Sequence, residues 1–123
     1  MNSNLFIRKF NLLGFLKFYF LKALKSNYGL FKTLVGNLYL DTANDGISKS
    51  YAYWGIRESD KHKLISEEIK SGDYILDCGS NIGGYAKFFD NLIGEKGKIV
   101  CIEPDNRNHR TLMKNFENLK CKK

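Results

Sequence analysis

The sequence predicts an α/β chain built around a βαβα unit whose two strands run parallel. Three observations carry that prediction. A glycine-rich loop, Gly79-Ser80-Asn81-Ile82-Gly83-Gly84, separates the short apolar run Tyr74–Cys78 from the amphipathic run Tyr85–Ile93. A second apolar run, Lys98–Glu103, follows the turn Gly94-Glu95-Lys96-Gly97 and is stopped by Pro104. Both apolar runs are near-continuous rather than alternating, which is the pattern of strands in a sheet covered on both faces.

The elements follow in chain order. Residues 5–35 mix Leu and Phe with Lys or Arg every few positions and read as a helix or helix pair divided near Asn27-Tyr28-Gly29. On a helical wheel Phe6, Leu12, Leu13, Leu16, Phe20 and Leu24 share one broad arc, Arg8, Lys22 and Lys25 lie opposite, and Lys9 and Lys17 intrude on the arc. The expected role is a helical cover for the domain that follows. A second reading is a basic, aromatic helix, residues 5–25, lying on an anionic membrane surface. Residues 34–40 read as a strand that ends in the turn-rich Asp41–Gly46, and Ile47–Trp54 is ambiguous. Ser59 is placed to cap a helix running to about Lys70, with Leu64, Ile65 and Ile69 on its apolar side and Gly72 as its stop. After the second strand a last helix is expected over Asn106–Leu119, with Leu112, Met113, Phe116 and Leu119 on one side. The segments are therefore residues 1–33, 34–71 and 72–123.

Composition narrows the classes. The 123 residues suit one small domain, and the uncharged stretches near the N-terminus, about seven residues long, are far shorter than the about 20 apolar residues of a membrane-spanning helix. The net charge of +7 is uneven: residues 1–50 carry seven basic and two acidic side chains, and residues 51–100 carry seven and eight. The basic residues are interleaved with apolar ones and form no tight patch, so no nucleic-acid partner is expected. Cys78, Cys101 and Cys121 make no C-x-x-C pair and no ligand cluster with His62 or His109, so no metal is expected. The thiols read as small buried apolar groups in a reducing, cytoplasmic setting. Both histidines read as surface residues on polar helices.

In a βαβα unit ligands bind outside the carboxyl ends of the strands, and three features meet there. The loop Gly79–Gly84 lets a ligand approach the backbone. The N-terminus of the next helix offers free N–H groups and a partial positive charge to a carboxylate or phosphate. Glu103, ending the second strand, can accept hydrogen bonds from both hydroxyls of a ribose. A nucleoside-type cofactor follows. The spacing is not G-x-G-x-x-G, because Asn81 stands two after Gly79, and no P-loop is present. Asp77, two residues before Gly79, would repel a pyrophosphate but suits an ammonium or sulfonium charge. S-adenosylmethionine carries both, with a carboxylate for the helix end and a ribose for Glu103.

GDYILDCGSNIGGYA, residues 72–86, followed by GKIVCIEPDNRNHRTLMKN, residues 97–115, resembles the cofactor-binding half of FkbM-type S-adenosylmethionine-dependent methyltransferases. Their D-x-G-x-N-x-G motif is matched by Asp77, Gly79, Asn81 and Gly83, and LDTANDGISKSYAYWGIRE, residues 40–58, resembles their lead-in segment. The resemblance covers about residues 34–120. It implies a Rossmann-like class I methyltransferase fold and methyl transfer to a hydroxyl oxygen on a sugar or other small molecule. It also implies that Asp77, Gly79, Ser80, Asn81 and Gly83 contact the methionine part and ribose, that Glu103 holds the ribose hydroxyls, and that Asp105 and Asn106 lie near the adenine. Arg57 and Glu58 stand where the family often shows a similar pair; no role follows for them from sequence. Cys78 and Ser80 depart from the residues usual at their positions. No residue stands out as a catalytic base. Two core strands are fewer than that fold uses, so the expectation is a chain holding only the N-terminal, cofactor-binding portion, inactive by itself. Two other readings stay open: a different nucleotide-dependent Rossmann enzyme such as an oxidoreductase, and a non-catalytic remnant that associates with a membrane or partner through its N-terminal helix.

Overall fold

The computed structural model describes residues 9–43 and 46–122, and they form a mixed α/β chain of five helices and two small sheets. Phe6 and Arg8 of the wheel, and Asn44 and Asp45 of the turn, lie outside the described residues. The described residues divide after His62 into two compact units.

The first unit opens with α1, Leu12–Ala23, whose N-cap Asn11 accepts the Gly14 N–H through its side chain at 2.9 Å. The expected second half of a helix pair is instead a strand. β1, Tyr28–Thr33, pairs antiparallel with β2, Gly36–Asp41, through a two-residue loop at Leu34-Val35. The physical reason is a change of period. Lys25 takes a positive φ of 55° and ends the helix, after which Gly29, Phe31 and Thr33 face inward while Leu30 and Lys32 face out. The expected strand over 34–40 is thus shifted, and Leu34 and Val35 become the turn. Residues 47–54, ambiguous in sequence, form α2, Ile47–Trp54, closed by Gly55 in the left-handed region. Phe18, Phe31, Leu38, Leu40, Tyr51 and Ala52 make the core of this unit.

The helix α3, Ser59–Glu68, ends earlier than Lys70, and its buried residue is His62 while Leu64 is exposed. The surface reading of His62 is corrected: the ring is fully buried, and Nδ1 lies 3.1 Å from the Glu58 carbonyl oxygen.

The second unit follows the predicted order. β3, Tyr74–Cys78, and β4, Lys98–Ile102, run parallel in the register Asp77↔Cys101, with α4, Gly84–Ile93, between them and α5, Asn106–Phe116, after them. Ile75, Asp77, Ile99 and Cys101 share one face, and α4 packs on the sheet with Phe88, Phe89 and Ile93 buried. The other face, with Tyr74, Leu76, Val100 and Ile102, is exposed. The expectation of a sheet covered on both faces is therefore not met among the described residues. An apolar run reports which side chains a sheet carries, and here only one face meets helices. Cys78 is also exposed, contrary to the reading of all three thiols as buried. Beyond α5 the chain returns to the outer edge of β4, where Lys122 bridges Lys98 in parallel.

Candidate functional site

The site is built where β3 and β4 end. Strand β3 stops at Cys78 because Gly79 takes a φ of 82°, which turns the chain out of the sheet. The carbonyl of Ile102, at the end of β4, accepts the N–H groups of Gly79 at 2.8 Å and Ser80 at 3.1 Å, so the two strand ends are tied. The Ser80 hydroxyl donates back to the Asp77 carbonyl at 2.7 Å, and the Gly83 N–H donates to the Ser80 carbonyl at 2.9 Å. Ser80 is buried and its hydroxyl closes the turn.

Asn81 sits at the crest of this loop with a φ of 50°, a conformation that Asn tolerates better than most residues. Its side-chain oxygen accepts the Ile82 N–H at 2.9 Å, and its own N–H donates to Glu103 Oε2 at 2.7 Å. Glu103 Oε1 accepts the Asp105 N–H at 2.9 Å. The acid at the end of β4 thus holds the glycine loop and its own following loop together. Asp105, exposed, is the N-cap of α5; its Oδ1 accepts the N–H groups of Arg107 at 3.0 Å and Asn108 at 2.8 Å. Asn106 is the first residue of α5 and is exposed.

The two motif glycines differ. A Cβ on Gly79 would meet no atom within 4 Å, so the space over it is open. A Cβ on Gly83, whose φ is 85°, would come within 2.9 Å of Leu112 Cδ1 and 3.6 Å of Asn115 Cβ. Gly83 lets α4 begin in close contact with α5, and no side chain caps that helix start.

Asp77 is the group with the most unusual surroundings. Its Oδ2 is buried and has no hydrogen-bond partner among the described residues. Burial raises its pKa above the ordinary 3.8, the Ser80 side chain offsets part of the rise, and the Glu103 charge adds to it. Cys101, its register partner, is likewise pushed up by burial, with the Ser80 side chain opposing and the Asp77 charge assisting, so it remains a thiol. Of the predicted residues, Ser80 is bonded to the Asp77 carbonyl and Asn81 to the Glu103 carboxylate, two pairs at the ends of β3 and β4.

One anchoring residue escaped the sequence reading. Asn115, buried on the inner side of α5, donates from Nδ2 to the Ile82 carbonyl at 2.7 Å and fixes the loop from behind. Its signal was a polar residue three positions after Leu112 on an apolar helix side. An apolar cavity of about 200 Å³ lies between β4 and α5, lined by Ile99, Cys101, Leu112, Met113 and Phe116 among others, and no loop residue contributes to it.

No family model, no curated protein and no solved structure matches the chain.

Proposed function

We propose that the β3–α4 loop and the end of β4 form the S-adenosylmethionine-binding half of a methyltransferase acting on a hydroxyl oxygen of a sugar or other small molecule. The observation that carries this reading is Asp77 Oδ2, a buried carboxylate oxygen with no donor, at the carboxyl end of β3 beside the open backbone of Gly79. An unsatisfied buried acceptor costs about 1–3 kcal/mol, more when charged, and a cationic ligand group removes that cost. Such a group at the mouth of a glycine loop points to binding chemistry.

The residues fit the cofactor. Asp77 takes its ammonium, the α4 N-terminus takes its carboxylate, and Gly79 leaves room for its backbone-level approach. Glu103 receives the ribose hydroxyls on lone pairs not used by the Asn81 and Asp105 amides; a carboxylate has about four such positions. Asp105 and Asn106, exposed at the start of α5, would lie beside the adenine, as the resemblance implies. When bound, S-adenosylmethionine supplies an electrophilic methyl group on a sulfonium. The chain's own contribution is positioning: Ile102, Asn115 and Glu103 hold the loop before the ligand arrives, so its ordering need not be repeated on binding. The resemblance of residues 72–115 to FkbM-type enzymes supports the same reading.

Calorimetric titration of the full chain with S-adenosylhomocysteine and, separately, NADH tests it. S-adenosylhomocysteine is expected to bind and NADH not, and Asp77→Asn is expected to weaken the binding by about tenfold or more, the scale of one charge-assisted contact. Binding of NADH in place of S-adenosylhomocysteine would overturn the reading in favour of another nucleotide-dependent enzyme.

A further inference from the structure

We propose that the outward face of α1 docks on an anionic membrane surface. This inference stands on the first unit alone and is independent of the cofactor reading.

The rotation of α1 is fixed. A Cβ on Gly14 would fall 2.1 Å from the Ala52 carbonyl oxygen, Phe18 is fully buried, and the Asn11 N–H donates to the Tyr53 carbonyl at 2.7 Å. With Gly14 and Phe18 turned to the core, the opposite side must face out, and on a helix of 3.6 residues per turn that side is Leu12, Leu13, Leu16 and Phe20, with Leu24 beyond the last turn. Their exposures are 58%, 79%, 54%, 64% and 62%. A soluble surface helix normally turns charged residues outward; this one turns out a continuous row of Leu and Phe.

The surroundings of the row select its partner. The first 40 residues contain six basic side chains and no acidic one, and the first acid, Asp41, is buried. Lys9 and Lys25 are exposed near the two ends of the row. Lys17, at its border, donates to the Leu30 carbonyl at 2.8 Å and stands over the Phe31 ring, so its cation is held at the edge of the apolar surface. A second copy of this chain would bring these like charges together across the contact. A bilayer with anionic headgroups answers both features, taking the Leu and Phe side chains among its acyl chains and the lysines at its phosphates. No helix among the described residues is long and apolar enough to cross a membrane, so the contact proposed is peripheral.

Co-sedimentation of the full chain with vesicles is the test. Wild type is expected to pellet with equimolar phosphatidylcholine and phosphatidylglycerol vesicles and to stay in the supernatant with phosphatidylcholine alone. The double variant Leu13→Asp, Leu16→Asp is expected to lose at least about tenfold in partitioning with an unchanged circular dichroism spectrum, because both positions are solvent-facing. Lys9→Gln with Lys25→Gln, which leaves the apolar row intact, is expected to weaken binding and to reduce its sensitivity to salt. Equal pelleting of wild type and the double aspartate variant would overturn the proposal, as would failure of wild type to bind the anionic vesicles. A lipid-free dimer that the same aspartates dissociate, seen by sedimentation velocity, would assign the face to a second copy instead.

Discussion

The Asn81 N–H and Glu103 Oε2, 22 residues apart in sequence, are joined at 2.7 Å, and the other oxygen of the same carboxylate accepts the Asp105 N–H at 2.9 Å. One side chain therefore fixes the crest of the glycine loop and the start of the loop after β4. Glu103→Ala removes both acceptors and is expected to destabilise the chain by about 1–3 kcal/mol in urea denaturation. Glu103→Gln keeps one acceptor oxygen and is expected to lose less. Faster hydrogen exchange at the Asn81 amide in Glu103→Ala checks that the loss arises at this contact.

On the proposed cofactor reading, Gly79 answers a ligand requirement, while Gly83 answers a packing one. Both have positive φ, so alanine at either position carries a backbone cost of about 1–2 kcal/mol. At Gly83 the added methyl also meets Leu112 Cδ1 at 2.9 Å, so Gly83→Ala is expected to lower stability by about 1–3 kcal/mol more than Gly79→Ala, as overpacking does. At Gly79 the methyl points into open space, and its expected effect beyond the backbone cost is loss of S-adenosylhomocysteine binding. Paired melting and titration curves for the two variants check both halves of this statement.

What could be read in the sequence depended on punctuation. Gly72, Gly79, Gly94 and Pro104 bracket β3, α4 and β4, so these elements and their parallel pairing follow from the residue order. Tyr28–Thr33 has no such bracket ahead of it and continues a run of Leu, Phe and Lys that fits a helix equally well; its alternation emerges only once Lys25 breaks the period. His62 stands between Lys61 and Lys63, and nothing in that run marks its burial, which tertiary packing decides. That Asp77 and Glu103 stand at the two strand ends was legible from the residue order. That Glu103 would hold two backbone amides was not, because loop closure is set by the geometry of both loops together.

Two titratable groups shifted by burial give opposite pH signatures. Burial raises the Asp77 pKa above 3.8 in the fold, so its contribution to stability is lost as pH rises from 3.8 through the folded value. Asp77→Asn is accordingly expected to stabilise the ligand-free protein at neutral pH by about 1 kcal/mol and, on the proposed cofactor reading, to weaken S-adenosylhomocysteine binding. Burial lowers the His62 pKa below 6.5 against smaller opposing effects of the Glu58 carbonyl and charge. The unfolded chain then takes up the proton first, and stability is lost as pH falls from 6.5 towards the folded value. Urea midpoints measured across this range are expected to fall more steeply for wild type than for His62→Gln; parallel curves would remove the His62 assignment.

Asp90 ties the end of the chain to α4. Its side chain is fully buried; Oδ1 accepts the N–H groups of Lys120 at 2.7 Å and Cys121 at 2.9 Å, while Oδ2 pairs with Lys87 Nζ at 3.2 Å. Those bonds aim residues 120–122 along the outer edge of β4, where the Lys122 N–H donates to the Gly97 carbonyl and the Ile99 N–H to the Lys122 carbonyl, each at 3.0 Å. The edge of a parallel sheet is thereby paired at its first residues, beside the segment that Asp90 holds. Asp90→Ala leaves Lys87 Nζ with only the Asn118 carbonyl, at 3.3 Å, and removes the acceptor of the Lys120 and Cys121 amides, and it is expected to cost about 1–3 kcal/mol. Asp90→Asn keeps the Oδ1 acceptor and loses the ion pair, so it is expected to keep the Ile99 amide protected from hydrogen exchange while lowering overall stability. Loss of Ile99 protection in Asp90→Asn would mean that the charge on Asp90, and not its hydrogen-bond geometry, holds residues 120–122 in place.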